Sequence, residues 1–316
     1  MRSECSLIGA AVDIGQPKEG TELAPSWLRV KGFRDVFNKK FSAVHDLGDI
    51  TAKKSEEDPS LKTKFTQLDA YAKQLGQVIS EELSKNRFVF TLGGDHSLAA
   101  GTLAGTMEFN PDIKVIWVDA HADINTPDTS PSANTHGMPV ALAMGLVDHV
   151  DAKGKFEWMP RLKPENIAYI GLRDVDPGEQ KFIDELGIMA FTAEETKRLG
   201  IEKVLELIQE KLDPNSDSDF HISFDVDGID PSFFPSTGTP VDGGISLDDG
   251  KKIIEYFVST GRLAALDMVE VNPLLGDREA LERTLESSIE LISPLGPGPM
   301  KAPFIRPSIS NERFSF

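Results

Sequence analysis

The sequence predicts an α/β fold in which a mainly parallel sheet carries helices on both faces. Two observations carry that prediction. Short β-type runs alternate with segments of helical period along the chain, and alternation of this kind builds parallel sheets with crossover helices. Several of the runs are also almost continuously apolar, such as Val115-Ile116-Trp117-Val118 and Ile222-Ser223-Phe224, which is how strands buried on both faces read.

The candidate strands are residues 6–12, 43–46, 87–92, 114–119, 166–170, 187–191, 219–225 and 262–269. Between them lie helical segments at 64–84, 97–108, 193–212, 247–259 and 278–292. In the first of these Leu68, Tyr71, Leu75 and Val78 recur at helical spacing, while Gln67, Asp69 and Lys73 face water. Residues 51–62 are charged and read as a surface loop. No repeat and no Gly/Ser- or Pro-rich interior linker appears, so residues 1–293 are expected to form one domain. From Pro294 the chain is Pro-rich and aperiodic and reads as an irregular tail over 294–316, disordered or tied to a neighbouring subunit.

The 316 residues carry 33 basic and 51 acidic side chains, a formal net charge of −18. That balance argues against a phosphate-backbone binder, which needs clustered Lys and Arg, and it suits cationic small molecules. Cys5 is the only cysteine, so no intrachain disulfide is possible, which fits a reducing compartment. The N-terminus is a poor signal peptide. No run approaches the roughly 18 apolar residues that span a bilayer. A cytoplasmic protein without nucleic-acid or membrane partners is expected.

Four segments place Asp, His or Glu at or just beyond a strand's C-terminal end, where open α/β sheets bind ligands. In Gly93-Gly94-Asp95-His96-Ser97 a strand ends in a glycine turn; the plain reading is a helix cap by Asp95 or Ser97, with His96 incidental. In Asp119-Ala-His121-Ala-Asp123 three ligand-type residues alternate after an apolar strand, and in an extended segment they would face one point. Asp225 and Asp227 repeat the alternation. Turn dipeptides account for Asp227-Gly228 and Asp230-Pro231 but not for Asp225, which follows Ile222-Ser223-Phe224 directly. Glu270 sits in an apolar stretch, where an acid is costly unless it meets a cation. Brought together, four carboxylates repel one another unless divalent cations neutralise them. Two histidines and four carboxylates form a hard donor set without thiolates, which favours Mn²⁺ over Zn²⁺ and does not separate it from Co²⁺ or Fe²⁺. Two metals roughly 3.5–4 Å apart would share a bridging water and lower its pKa.

In order and spacing these segments resemble the ureohydrolase (arginase/agmatinase) superfamily. The likeness to arginases in particular rests on Asp119-Ala-His-Ala-Asp-Ile-Asn-Thr-Pro127, Ser132-Ala-Asn-Thr-His-Gly137, Gly171-Leu-Arg-Asp-Val-Asp-Pro-Gly-Glu179 and Gly15-Gln-Pro-Lys-Glu-Gly20. It extends from about Ser6 to about Pro294. The resemblance implies a three-layer α/β/α fold with an eight-stranded parallel sheet, usually as a homotrimer. It implies one manganese ion on His96, Asp119, Asp123 and Asp225 and a second on His121, Asp119, Asp225 and Asp227. The implied reaction belongs to arginine metabolism and the urea cycle: metal-bridging hydroxide attacks the guanidinium carbon of L-arginine and yields L-ornithine and urea.

By the same resemblance Asp123 orients the hydroxide, Glu270 holds the guanidinium and His136 shuttles protons; without it His136 would read as an exposed loop histidine. Asn125, Ser132 and Asn134 would bind the α-carboxylate. Asp176, with Glu179 through water, would bind the α-ammonium, although Pro177-Gly178 also fits a plain polar turn. Thr239 would support this wall of the pocket. His45, His149 and His221 read as structural. Two departures stand out: Ala133 replaces the family's usual glycine, so a positive φ there would be strained, and the tail does not resemble the familiar animal one. The competing readings are a ureohydrolase of agmatinase or guanidinobutyrase type and a non-catalytic metal-binding relative.

Overall fold

The computed structural model describes residues 2–52 and 58–296. Eight strands form one all-parallel sheet: β1 (Glu4–Ala11), β2 (Ala43–Thr51), β3 (Phe88–Gly93), β4 (Lys114–Val118), β5 (Ile167–Leu172), β6 (Met189–Thr192), β7 (Phe220–Asp225) and β8 (Leu263–Val269). The helices are α1 (Ala24–Val30), α2 (Phe33–Asn38), α3 (Leu61–Ser84), α4 (Ala99–Phe109), α5 (Pro139–Met144), α6 (Pro177–Leu186), α7 (Ala193–Leu199), α8 (Ile201–Leu212), α9 (Leu247–Ser259) and α10 (Arg278–Leu291).

Strand side chains alternate between two apolar layers. On β4, Val115 and Trp117 pack with α3, α4 and α5, while Ile116 and Val118 pack against α8 and α9 on the other face. Both faces being covered, the strands read as unbroken apolar runs. Burying each such side chain contributes about 1.5–3 kcal/mol. α4 is apolar nearly all round because α3 lies almost in backbone contact with it: a Cβ on Gly105 would stand 2.4 Å from the Gly76 carbonyl.

The sheet order is β2-β1-β3-β8-β7-β4-β5-β6. β3 and β4 are consecutive in the chain, yet β8 and β7 lie between them. The four central strands are therefore those whose ends carry His96, Glu270, Asp225 and Asp119. A crevice opens at such a reversal of strand order.

The expected helix over 193–212 is two helices, because Gly200 (φ 81°, ψ 141°) leaves the helical region and caps both ends. Helices α1, α2, α5 and α6 were not expected. Three of them, α1, α5 and α6, carry Pro in the first turn, where its missing N–H costs nothing, so a turn signal such as Pro177-Gly178 opens a helix instead. In the expected loop over 51–62, Thr51 ends β2 and Leu61 begins α3, and residues 53–57 lie outside the described residues. The expected tail lies outside them from residue 297 onward.

Candidate metal centre

Beyond β3, Gly94 runs so close to β1 that a Cβ would meet the Val12 carbonyl at 2.1 Å. Asp95 then caps a single 3-10 turn, accepting from Ser97 N at 3.0 Å. Asp95 supplies the expected cap, and His96 next to it turns into the crevice. Its Nε2 bonds Ser223 Oγ at 2.9 Å and its ring stacks on Trp117 with centroids 4.1 Å apart. A proton on Nε2, donated to Ser223, would leave Nδ1 free to act as a ligand atom. His96 Nδ1 lies 3.1 Å from Asp119 Oδ2, 3.0 Å from Asp123 Oδ2 and 3.3 Å from Asp225 Oδ2. Buried among three carboxylates, it has no hydrogen-bond partner.

A second group adjoins the first. His121 Nδ1 stands 3.3 Å from Asp119 Oδ1 and 3.3 Å from Asp227 Oδ2, with Nε2 3.6 Å from Asp174 Oδ2. Asp119 belongs to both groups, presenting Oδ2 to His96 and Oδ1 to His121. Trp117 Nε1 donates to Asp119 Oδ2 at 3.0 Å and His121 N to Oδ1 at 2.7 Å. Asp225 faces the first group through Oδ2, while its Oδ1 accepts from Asp227 N at 2.9 Å.

Simple alternation does not produce this convergence. Asp123 adopts φ 51° and Glu270 φ 66°, left-handed backbone that is costly for side chains with a Cβ. Asp227 lies in a 3-10 turn capped by Asp225. The strand ends bend, and the bends aim the side chains. The strained residues are pinned: Glu270 N donates to Gly94 O at 2.9 Å, and Val140 N donates to Asp123 O at 3.0 Å.

Burial, together with repulsion from Asp227 and Asp119, pushes Asp225 well above the usual carboxylate range. Burial first, and then Asp119, pushes Asp123 up to about 6. Four buried carboxylates therefore crowd around two imidazole nitrogens, one of which is orphaned. Oxygen-rich donors of this kind fit hard divalent cations.

Glu270 adjoins the first group and is buried. Its Oε1 accepts from His96 N at 2.8 Å and bonds His136 Nδ1 at 3.2 Å; its Oε2 accepts from Gln16 Nε2 at 2.6 Å. For His136, burial opposes the charge, but Glu270 and then Asp123 and Asp95 outweigh it and lift the imidazole to about 9. His136 is thus seated in the crevice and is not a free loop histidine.

Asn125 and Asp176 meet, with Asn125 Nδ2 donating to Asp176 Oδ2 at 2.9 Å. Asn134 is half-buried and Ser132 exposed, its Oγ accepting from Asn134 N at 3.2 Å. Glu179 and Thr239 each bond to neighbouring chain segments. Glu179 is buried at the start of α6, with its oxygens accepting from Ile124 N at 3.1 Å and Asp176 N at 3.0 Å; burial first lifts it to about 8. Thr239 Oγ1 donates to Asp227 Oδ2 at 2.9 Å. The histidines read as structural stay away from the two groups: His45 pairs with Glu4 at 2.8 Å, His149 Nδ1 accepts from Asp151 N at 3.2 Å, and His221 bonds Asp267 at 2.9 Å deep in the core.

Ser223, Trp117 and Arg173 had no assigned role. Arg173 Nη2 donates to the Asp227 carbonyl at 2.5 Å and to Val241 O at 2.7 Å, tying down the turn that carries Asp227. Ser223 was detectable, since it precedes Asp225 by two residues on β7 and shares its face.

Ala133 does adopt φ 56°. Ala133→Gly should raise stability by about 0.5–1 kcal/mol, relief of left-handed strain outweighing the added chain entropy. Thermal unfolding of the cation-loaded protein checks this, and an unchanged or lower midpoint would count against strain at this position.

The family model described as the arginase family matches residues 3–295. The chain is 42% identical over 292 residues to the hepatic arginase of Aquarana catesbeiana, covering 90% of each chain. It is 39% identical over 298 residues to the arginase of Bacillus subtilis, covering 93% of this chain and 98% of that one. Among solved structures, the crystal structure of Bacillus subtilis arginase superposes with a TM-score of 0.83 at 36% identity, covering 94% of this chain and 99% of that one. Entamoeba histolytica arginase in complex with L-ornithine superposes with a TM-score of 0.80 at 35% identity, covering 92% and 98%.

Proposed function

The chain belongs to the arginase family, and from that premise we propose that two manganese ions held by His96, Asp119, His121, Asp123, Asp225 and Asp227 serve its hydrolysis of L-arginine to L-ornithine and urea. The observation that carries this reading is Asp119, whose two oxygens face the two histidines of adjoining ligand groups.

Bound there, a pair of divalent cations lowers the pKa of water enough to supply a strong nucleophile near neutral pH. Such a nucleophile is needed because guanidinium delocalises its charge and is a poor electrophile. The chain's own side chains do the rest. Glu270, ionised in the crevice wall, holds the guanidinium as a charge-assisted pair. Asp123, at the edge of the first group, accepts a hydrogen bond from the attacking water and aims it. His136 commits Nδ1 to Glu270, so Nε2 is the atom that carries a proton to the departing amine. At the far end Asn125, Ser132 and Asn134 bind the α-carboxylate and Asp176 takes the α-ammonium, with Glu179 holding Asp176 through its backbone. Thr239 acts one step back, on Asp227.

Residues 1–293 form the catalytic domain in this reading, with 294–316 as its tail. A cytoplasmic homotrimer fits the family and the single buried thiol of Cys5. No helix among the described residues is long and apolar enough to cross a membrane.

Urea release from L-arginine and from agmatine, paired with metal analysis of the purified protein, tests the reading. The expected result is strong preference for L-arginine with two manganese ions per chain. Faster urea release from agmatine, which has no carboxylate, would instead support the decarboxylated substrate and overturn the carboxylate-binding role of the 125–134 loop.

A further inference from the structure

The segment Gly15-Gln16-Pro17-Lys18 has no part in the reading above, yet the fold lays it across the crevice. Gly15 N donates to Asp95 Oδ2 at 2.6 Å, and the Gly15 carbonyl accepts from His136 N at 3.2 Å. A Cβ on Gly15 would stand 2.7 Å from His136 Cβ, so the turn packs directly on the segment carrying His136. Lys18 Nζ donates to the Gly238 carbonyl and ties the other end down. Between these anchors Gln16 is 3% exposed, with Nε2 2.6 Å from Glu270 Oε2.

Only the amide nitrogen can donate to a carboxylate, so Gln16 must turn Oε1 elsewhere. That oxygen faces Gly238, where a Cβ would meet it at 2.9 Å and Glu270 Oε2 at 3.7 Å. The lack of a side chain at 238 therefore keeps room for a neutral acceptor beside the Glu270 carboxylate. Glu270 itself is short of free acceptor capacity, because Oε1 already serves His96 N and His136 Nδ1 and Oε2 serves Gln16. A guanidinium brings five N–H donors in one plane, more than the remaining lone pairs of Glu270 can satisfy.

We propose that Gln16 is a specificity-determining residue for the guanidinium group: Nε2 holds Glu270 in register while Oε1 accepts a guanidinium N–H beside it. The assignment rests on the reading of the chain as an arginine hydrolase. An amide suits the position. A carboxylate in its place would repel Glu270 across 2.6 Å, and an apolar side chain would free Glu270 to shift and remove the neutral acceptor for the substrate.

The test is steady-state kinetics of the full, cation-loaded chain with Gln16→Leu, which keeps the side chain's bulk and removes both polar atoms. L-Ornithine is the control ligand, since it shares the α-amino acid end and lacks the guanidinium. Loss of a hydrogen bond to a charged group predicts a rise in KM for L-arginine of roughly ten- to hundredfold. The inhibition constant of L-ornithine should stay within about twofold and metal content should not change. Gly238→Ala should give the same split more weakly by displacing Oε1, and it decides the matter if Gln16→Leu does not fold. An unchanged KM for L-arginine would overturn the assignment, as would equal weakening of both ligands, which would make Gln16 a general support of the pocket. Wild-type protein that releases no urea from L-arginine would instead strike the arginase reading itself, and this assignment with it.

Discussion

Asp119→Asn is expected to abolish urea release and to empty both cation positions. Asp119 is the residue common to both ligand groups, with Oδ2 3.1 Å from His96 Nδ1 and Oδ1 3.3 Å from His121 Nδ1. An asparagine keeps the size but retains a single acceptor oxygen. Its amide N–H₂ would then point at one of the two cation positions, where a donor is repelled. The loss in kcat should be at least about 10³-fold, because without cations no strong nucleophile forms near neutral pH. The core should survive, since Asp119 lies at the end of β4 and the apolar residues on both sheet faces are untouched. The measurements are metal content by mass spectrometry, urea release and far-ultraviolet circular dichroism. A folded Asp119→Asn protein retaining two cations and wild-type turnover would refute the shared-carboxylate centre.

His136→Asn should lower kcat by roughly 10²–10³-fold, the range expected on losing a positioned proton donor, while metal content stays at the wild-type level. His136 touches Glu270 and is not part of either cation group. Its imidazole is lifted to about 9, with burial opposing the charge and the Glu270 bond and nearby carboxylates prevailing. With Nδ1 committed to Glu270, Nε2 is the atom that would carry a proton to the departing amine. Asparagine can still donate to Glu270 but cannot carry that proton. A variant that lost its cations would show instead that His136 is a ligand, and one with full turnover would remove it from the proton path.

Much of the site was legible before any coordinates because ligand chemistry is local in sequence. Asp119, His121 and Asp123 lie within five residues, and each ligand segment follows an apolar strand that ends at a glycine, a turn or an acid. What could not be read was direction. Alternation suggested that Asp119, His121 and Asp123 simply share a face, whereas Asp123 reaches the site through a left-handed backbone at φ 51°. Glu179 and Thr239 were given supporting parts by likeness alone, and their partners, Ile124 N and Asp176 N for Glu179 and Asp227 Oδ2 for Thr239, could be read only from the structure. Arg173 and Gln16 stood in quoted motifs but had no role until their partners came within reach.

Sequence by itself determined the fold class and marked the acidic and imidazole segments that the structure brings together. Each follows from composition or from spacing within one segment, where covalent geometry restricts what neighbouring side chains can do. Tertiary structure alone decided that β8 and β7 enter between β3 and β4, which sets four segments from distant parts of the chain around one crevice. Strand order is chosen by the packing of helices over the whole sheet, a sum over both apolar layers that no single segment encodes. The same sum holds Asp123 and Glu270 in strained backbone, since only a completed core outweighs that local cost.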